Sequence, residues 1–280
     1  MNQSFSQFPV LEARSLTLAY QKFPILKNLD LTIVSGQITT LIGQNGCGKS
    51  TLLSGLSRLL SPVHGSVYLN GTSIHELSTR TVAKQLGVLP QSPPHPDGIS
   101  VRSLVALGRY PRQHWLQSWS AEDERMVNRA LAITNMQAFG DRSLESLSGG
   151  QKQRAWIAMA LAQDTPTLLL DEPTTYLDMA HQIEVLDLLH DLNRNCDRTI
   201  VMVLHDLNLA CRYSDTIIAL KEGKILAQGH PKDIINAALI ERVFDIQCTI
   251  LNDPTTDMPL CIPKSSLLTL RGMSQNEVGH

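Results

Sequence analysis

One stretch of the chain has the composition and spacing of an anion-binding loop. The apolar run Ile38–Ile42 precedes it and predicts a buried strand, and residues 52–56 continue as a predicted helix. Glycines let successive backbone N–H groups turn toward an anion, and a helix start adds its positive dipole end. The flanking strand and helix disfavour the alternative, a glycine-rich turn that binds nothing. The predicted phosphate-binding residues are Gly43, Gln44, Asn45, Gly46, Cys47, Gly48, Lys49, Ser50 and Thr51.

Two acidic residues supply what a phosphate site needs for hydrolysis. Asp171 and Glu172 directly follow the apolar run Thr167–Leu170, another predicted strand. Asp171 can reach a Mg²⁺ ion held by the Ser50 hydroxyl, and Glu172 can act as the general base or orient the attacking water. Such acids are also common as helix caps, but a phosphate loop in the same chain favours the catalytic interpretation.

Other polar residues stand at the ends of predicted elements. His205 follows the predicted strand 199–204 and is a candidate contact for the γ-phosphate, although a lone histidine is usually structural. Gln91 ends the predicted strand 86–91. Tyr20 ends the first predicted strand, before a turn predicted at Pro24, and its ring can stack on a purine base or simply pack. A second small-residue helix start, which predicts another anion contact before a helix over 152–163, comprises Ser148, Gly149, Gly150 and Gln151.

Composition limits the classes of protein to consider. The 280 residues are 42% hydrophobic and carry a net charge of −2, which gives no general reason to bind nucleic acid. No apolar run approaches the roughly 18–20 residues that span a bilayer, and the first residues lack the pattern of a secretory signal. The cysteines are scattered without metal-site or redox-motif spacing, which favours a reducing compartment.

The motifs in their order identify the sequence as similar to the ATP-binding-cassette ATPase family over nearly its whole length. The resemblance assigns Tyr20 to adenine stacking, residues 43–51 to Walker A, Gln91 to the Q-loop and residues 147–151 to the signature. It further assigns residues 168–172 to Walker B, Asp178 to the D-loop and His205 to the switch histidine. The implied fold class is α/β: a P-loop NTPase (RecA-like) core, an antiparallel β subdomain and an inserted α-helical subdomain.

The resemblance also implies domain boundaries. The cassette is expected over residues 10–246, with its core in 10–91 and 147–246 and the helical subdomain at about 98–146. Prolines in the segment 92–97 forbid a regular element and mark the start of this insert. Residues 247–280 are expected to form a C-terminal extension, with a strand pair over 246–263 and a mobile tail.

The family pattern implies cofactors and partners. ATP and Mg²⁺ are the expected cofactors, with Gln91 joining Ser50 and Asp171 as a metal ligand. Two copies are expected to sandwich ATP, with Ser148–Gln151 of one copy completing the site of the other, and Asp178 of the D-loop is expected among the nucleotide-binding residues. A groove near Gln91 is expected to receive a membrane permease, with a substrate-binding protein as an indirect partner. This places the chain peripherally on the cytoplasmic face of the bacterial inner membrane.

Several segments resemble one subgroup, the importers of iron chelates, in particular ferric siderophores. These include residues 46–50, 107–111, 153–160, 174–178 and 203–208. Gln44 departs from this subgroup, which commonly has proline there; we expect ATP binding to survive because the side chain lies at the outer edge of the loop. Haem or vitamin B12 import remains an alternative. A non-transport cassette in DNA repair or translation is disfavoured, because the chain has one cassette and no long coiled coil.

Overall fold

A parallel sheet forms the centre of the computed structural model, which describes residues 9–91, 98–113, 119–175 and 177–264. The strand order is β10-β9-β3-β8-β7-β6, and all neighbours are parallel except the antiparallel pair of β9 and β10. The strands of this sheet are β3 (Ile38–Ile42), β6 (Leu86–Leu89), β7 (Thr167–Leu170), β8 (Thr199–Val203), β9 (Thr216–Lys221) and β10 (Lys224–Gly229). Because β3, β6, β7 and β8 are parallel, the residues that follow them meet at one edge.

An antiparallel sheet in the order β2-β1-β4-β5 lies beside the central one. Its strands are β1 (Pro9–Tyr20), β2 (Phe23–Val34), β4 (His64–Leu69) and β5 (Thr72–Ser73). The turn predicted at Pro24 was wrong, because the chain turns at residues 21–22 and Pro24 pairs with Ala19 inside β2. Proline is tolerated at this position because β2 is an edge strand and Pro24 is its second residue.

Helices cover both faces of the central sheet and build the insert. They are α1 (Lys49–Leu56), α2 (Thr79–Gln85), α3 (Val101–Leu107), α4 (Ala121–Ile133), α5 (Gly149–Ala162), α6 (Met179–Cys196), α7 (Leu207–Tyr213), α8 (Pro231–Ile234) and α9 (Ala237–Phe244). None of the helices in the described part of the chain is long and apolar enough to cross a membrane. A separate hairpin of β11 (Cys248–Asn252) and β12 (Pro259–Pro263) follows α9. The predicted mobile tail beyond residue 264 lies outside the described residues.

The central strands are buried on both faces, as expected for a parallel sheet covered by helices. Alternate residues enter two different cores. In β8, Ile200 and Met202 join the core shared with α5, α6 and the insert, while Val201 and Val203 join the core shared with α1 and the antiparallel sheet. A core on each face therefore fixes the central sheet, and the loops that follow its strands begin from rigid positions.

Helix α5 begins earlier than the predicted start at residue 152. Ser148 is its N-cap and accepts a hydrogen bond from the Gln151 N–H group, while the Gln151 side chain accepts one from the Ser148 N–H group. This reciprocal capping box draws the three preceding residues into the first turn. The same device, formed by Ser120 and Asp123, starts α4.

A buried ion pair connects α4 with the far end of α5. Arg109 Nε donates to Asp123 Oδ1 at 2.9 Å, and Arg109 Nη1 donates to the Ala162 carbonyl oxygen at 2.8 Å. Both side chains are buried, with exposed fractions of 3% and 9%. Burial alone would raise the pKa of Asp123, but hydrogen bonds from Ser120 and Arg109 outweigh it and leave the pKa below its usual value.

Replacing Arg109 with methionine is expected to lower the free energy of unfolding by about 3 kcal/mol at pH 7, because it leaves the Asp123 carboxylate buried and unpaired. Denaturant unfolding of both proteins measures the difference. Since the folded-state pKa of Asp123 is lowered, its contribution is complete above about pH 4 and is lost as the pH falls further. The two stabilities should therefore converge in acid, and a constant difference down to the lowest folded pH would contradict the ion-pair explanation.

Candidate nucleotide site

The loop between β3 and α1 has a backbone that only glycine can follow at two positions. Gly43 has φ +149°, and a β-carbon there would lie 2.3 Å from the Leu220 carbonyl oxygen. Gly48 has φ +107° and caps α1, and a β-carbon there would lie 2.6 Å from Leu26. Helix α1 has no side-chain cap and no acidic residue in its first turn. Its N–H groups and dipole therefore point at a space suited to an anion.

Lys49 lies buried at the start of α1. Its Nζ atom donates to the carbonyl oxygens of Gly43 at 2.8 Å and Gln44 at 2.9 Å. These bonds hold the ammonium group inside the loop. A phosphate oxygen is a stronger partner than a neutral carbonyl, so the same group is positioned to bind one.

The ends of β7 and α1 bring two of the three predicted metal ligands together, whereas the third, Gln91, donates to Glu172. Ser50 Oγ donates to Asp171 Oδ1 at 3.1 Å. Burial raises the pKa of Asp171, and the neighbouring Glu172 charge raises it further against the hydrogen bond from Ser50. A hard divalent cation suits two such oxygen donors and would relieve this unfavourable environment.

The Glu172 carboxylate is held by three other side chains. Gln91 Nε2 donates to Oε2 at 2.7 Å and Thr175 Oγ1 donates to the same oxygen at 2.9 Å, while His205 Nε2 lies 2.7 Å from Oε1. Burial raises the pKa of Glu172, but the bonds from Thr175, His205 and Gln91 outweigh it, so the pKa lies below its usual value. The residue also has φ +54°, a strained backbone conformation for glutamate. The group is therefore ionised and fixed in direction.

Lys49, Ser50, Gln91, Glu172 and His205 line one pocket of about 490 Å³, whereas Asp171 and Thr175 support it from behind this lining. The Lys49 ammonium and the Glu172 carboxylate both face it, as phosphate transfer to water would require. Its lining residues are Ile25, Asn45, Gly46, Gly48, Lys49, Ser50, Thr51, Gln91, Glu172 and His205.

Other predicted residues lie outside this lining. Tyr20 ends β1 with about half of its side chain exposed. Asp178 caps α6, where its carboxylate accepts a hydrogen bond from the His181 N–H group at 3.0 Å. The signature residues pack beside the start of α6. A β-carbon on Gly150 would lie 3.3 Å from the side chain of Leu177, the residue before Asp178. Ser148–Gln151 and Asp178 thus share a surface that is separate from the pocket of their own chain.

Known proteins resemble this chain in sequence. The family model described as ABC transporter matches residues 26–175. The chain is 55% identical over 253 residues to the achromobactin transport ATP-binding protein of Dickeya dadantii, covering 90% of this chain and 94% of that protein. It is 51% identical over 253 residues to the ferric enterobactin transport ATP-binding protein of Escherichia coli, covering 90% and 93%.

The chain belongs to the ABC transporter family. A solved structure of a dimeric ATP-binding cassette, in a post-hydrolysis state with ADP and phosphate, matches it with a TM-score of 0.70 at 29% identity. That match covers 79% of this chain and 98% of the other. The α/β P-loop fold and the assignment as an ATPase that powers transport are thereby confirmed, and ATP is the nucleotide of the cassette.

Two residues of the site were missed from the sequence. From the sequence, Thr175 belongs only to the segment 174–178 that resembles the iron-chelate importers, and no pattern in that segment indicates that its hydroxyl reaches Glu172. Asp245 accepts a hydrogen bond from the Gln44 side chain at 2.9 Å, although the two are 201 positions apart. No spacing signal exists for such a contact, because it depends on where α9 ends.

Replacing Thr175 with valine is expected to lower kcat for ATP hydrolysis about tenfold, since a hydrogen bond to a charged group is lost at nearly constant volume. The KM for ATP should change little, because Thr175 contacts the carboxylate and not the P-loop. Steady-state phosphate release measures both constants. Thr175→Ser keeps the hydroxyl and should retain most of the activity, whereas equal losses in the two variants would show that the hydroxyl is not responsible.

Proposed function

We propose that the chain is the ATP-hydrolysing subunit of an importer that energises uptake of an iron(III)–siderophore complex through a partner permease. The observation that carries the proposal is the similarity over 90% of the chain to a protein named for ferric enterobactin transport. The pocket supports the ATP-hydrolysing part of this function, because it combines a phosphate-binding loop with the fixed Glu172 carboxylate. The proposed cassette occupies residues 10–246, with the helical subdomain at about 98–146 and an extension over 247–280.

The proposed mechanism assigns each group by its position. Tyr20 stacks on the adenine base, residues 43–51 bind the phosphates, and Lys49 compensates charge on the outer phosphates. Glu172 accepts a proton from the attacking water or orients it. His205 contacts the γ-phosphate, and Gln91 connects this position with the insert.

Mg²⁺ fits the oxygen donors at the end of β7. Ser50, Asp171 and Gln91 would hold it, and when bound it supplies charge neutralisation for the phosphates. The chain's own contribution is to keep the Ser50 and Asp171 oxygens adjacent at the ends of α1 and β7.

A second copy is proposed to complete each site. The signature residues Ser148–Gln151 and Asp178 lie away from the pocket of their own chain, so they are available to another. The dimeric relative with ADP and phosphate supports this arrangement.

The permease is proposed to dock beside Gln91, on the helical insert. Leu107 and Tyr110 expose 52% and 79% of their side chains there, which suits contact with an apolar helix. A substrate-binding protein on the opposite membrane face would choose the cargo. The chain would then act peripherally on the cytoplasmic face of the bacterial inner membrane.

Affinity purification of the tagged full chain from detergent-solubilised membranes tests the transport role. A polytopic membrane protein should co-purify in stoichiometric amount, and Tyr110→Asp should weaken its recovery while Phe23→Asp, an exposed aromatic control on β2 of the antiparallel sheet, should not. Recovery of ribosomes or DNA without a membrane protein would favour a non-transport cassette instead.

A further inference from the structure

The C-terminal segment, residues 245–264, contacts two loops of the nucleotide site. It begins at Asp245, which ends α9 with φ +58°, and it continues through the β11–β12 hairpin. A two-stranded hairpin is marginally stable alone, so its position depends on contacts with the rest of the chain. Two of these contacts reach Gln44 in the P-loop and Asn208 at the start of α7.

The first contact fixes the P-loop. Asp245 Oδ2 accepts from Gln44 Nε2 at 2.9 Å, and Oδ1 accepts from Lys221 Nζ, at the end of β9, at 2.7 Å. The Gln44 carbonyl oxygen in turn accepts from Lys49 Nζ at 2.9 Å and from the Cys47 N–H group at 3.3 Å. Restraining the Gln44 side chain therefore restrains the peptide group that orients Lys49.

The second contact fixes the helix that follows the switch histidine. Asn208, in the first turn of α7, accepts from the Cys261 N–H group at 2.7 Å and donates to the Cys261 carbonyl oxygen at 3.3 Å. Both bonds go to the backbone of β12, so this strand is attached to α7 through one side chain. Asn208 is three positions after His205, which lies 2.7 Å from Glu172 Oε1.

Buried thiols support this attachment. Cys211 on α7 and Cys248 and Cys261 on the hairpin are all buried. Burial raises the pKa of Cys211 to about 12 and also raises that of Cys261, so both thiols stay protonated. They pack as small apolar groups between α7 and the hairpin.

We propose that the C-terminal segment is a positioning element of the ATPase site, holding the P-loop through Asp245–Gln44 and the His205 loop through Cys261–Asn208. No residue of the segment lines the pocket. The segment acts by limiting the motion of loops that do. Loss of the first contact should affect nucleotide binding, and loss of the second should affect turnover.

A matched control contact lies in the same hairpin. Lys232 Nζ, on α8, donates to Asp257 Oδ2 at 2.6 Å, and both side chains are substantially exposed. This ion pair attaches the hairpin turn to the core without reaching either loop of the site. Asp257→Ala therefore reports the effect of loosening the hairpin alone.

The test measures the Kd for ADP by calorimetry and kcat for ATP in the full chain. Asp245→Ala should raise the Kd for ADP about threefold to fivefold, consistent with exposed hydrogen bonds, and should have no further effect in a Gln44→Ala background. Asn208→Ala should lower kcat about fivefold to tenfold with the Kd for ADP unchanged. Asp257→Ala should change neither quantity.

Some outcomes would overturn the proposal. They are an equal effect of Asp245→Ala with and without Gln44, a wild-type kcat in Asn208→Ala, or equal losses in Asn208→Ala and Asp257→Ala. The inference rests on the proposed ATPase site, but the measurement of the Kd for ADP does not require ATP hydrolysis. If the wild type failed to hydrolyse ATP, the proposed function would fail while the P-loop contact could still be measured.

Discussion

Replacing Glu172 with glutamine is expected to lower ATP turnover by roughly 100-fold or more, the range observed when a general base is removed. The carboxamide keeps the size of the side chain and can still accept a hydrogen bond from Gln91 or Thr175. It cannot take a proton from water. The variant should therefore bind ATP as the wild type does and remain in the ATP-loaded state.

The Glu172→Gln variant is also expected to form a dimer that depends on ATP. Since the signature surface lies away from the pocket of its own chain, trapped ATP should hold two copies together. Size-exclusion chromatography with ATP should show a dimer of Glu172→Gln that dissociates when ATP is removed. Glu241→Gln, at an exposed position of α9, is the matched control and should behave as the wild type. Wild-type turnover in Glu172→Gln would remove Glu172 from the mechanism.

Replacing Lys49 with alanine is expected to weaken ATP binding roughly 100-fold, because several charge-assisted hydrogen bonds to phosphate are lost. The ammonium group lies inside the loop, and only 5% of the residue is exposed. Lys49 is the only lysine or arginine among the described residues that line the pocket. Calorimetric titration with ATP measures the effect.

Folding must be separated from binding in that variant. Lys49 also donates to the Gly43 and Gln44 carbonyl oxygens, so its removal costs some stability. Thermal unfolding without nucleotide should show a modest shift with a cooperative transition retained. Lys224→Ala, at an exposed position of β10, should change neither measurement. A folded Lys49→Ala protein with unchanged ATP affinity would contradict the assignment of the loop.

The sequence allowed accurate prediction where local chemistry determines structure. The P-loop follows from glycine spacing between a strand and a helix, and Asp171, Glu172 and His205 follow strands whose apolar runs are unmistakable. Because those strands are parallel neighbours, their ends had to meet.

Features that depend on distant packing could not be predicted. The contacts of Asp245 with Gln44 and of Asn208 with Cys261 require the end of α9 and the hairpin to lie beside the core. Helix α5 begins before the predicted residue 152 because the Gln151 side chain caps its first turn. The chain turns before Pro24 because a proline fits the edge strand β2 and does not have to lie in the turn.

The most direct test of the account is uptake of radioactive iron(III) bound to a siderophore by cells that lack this chain. A ferric catecholate and a ferric hydroxamate serve as probes, with haem and vitamin B12 measured in parallel. The account predicts that deletion abolishes uptake of at least one ferric siderophore, that the wild-type chain restores it and that Glu172→Gln does not. Undiminished uptake of every ferric siderophore in the deletion strain, or loss of haem or vitamin B12 uptake instead, would contradict the proposed cargo.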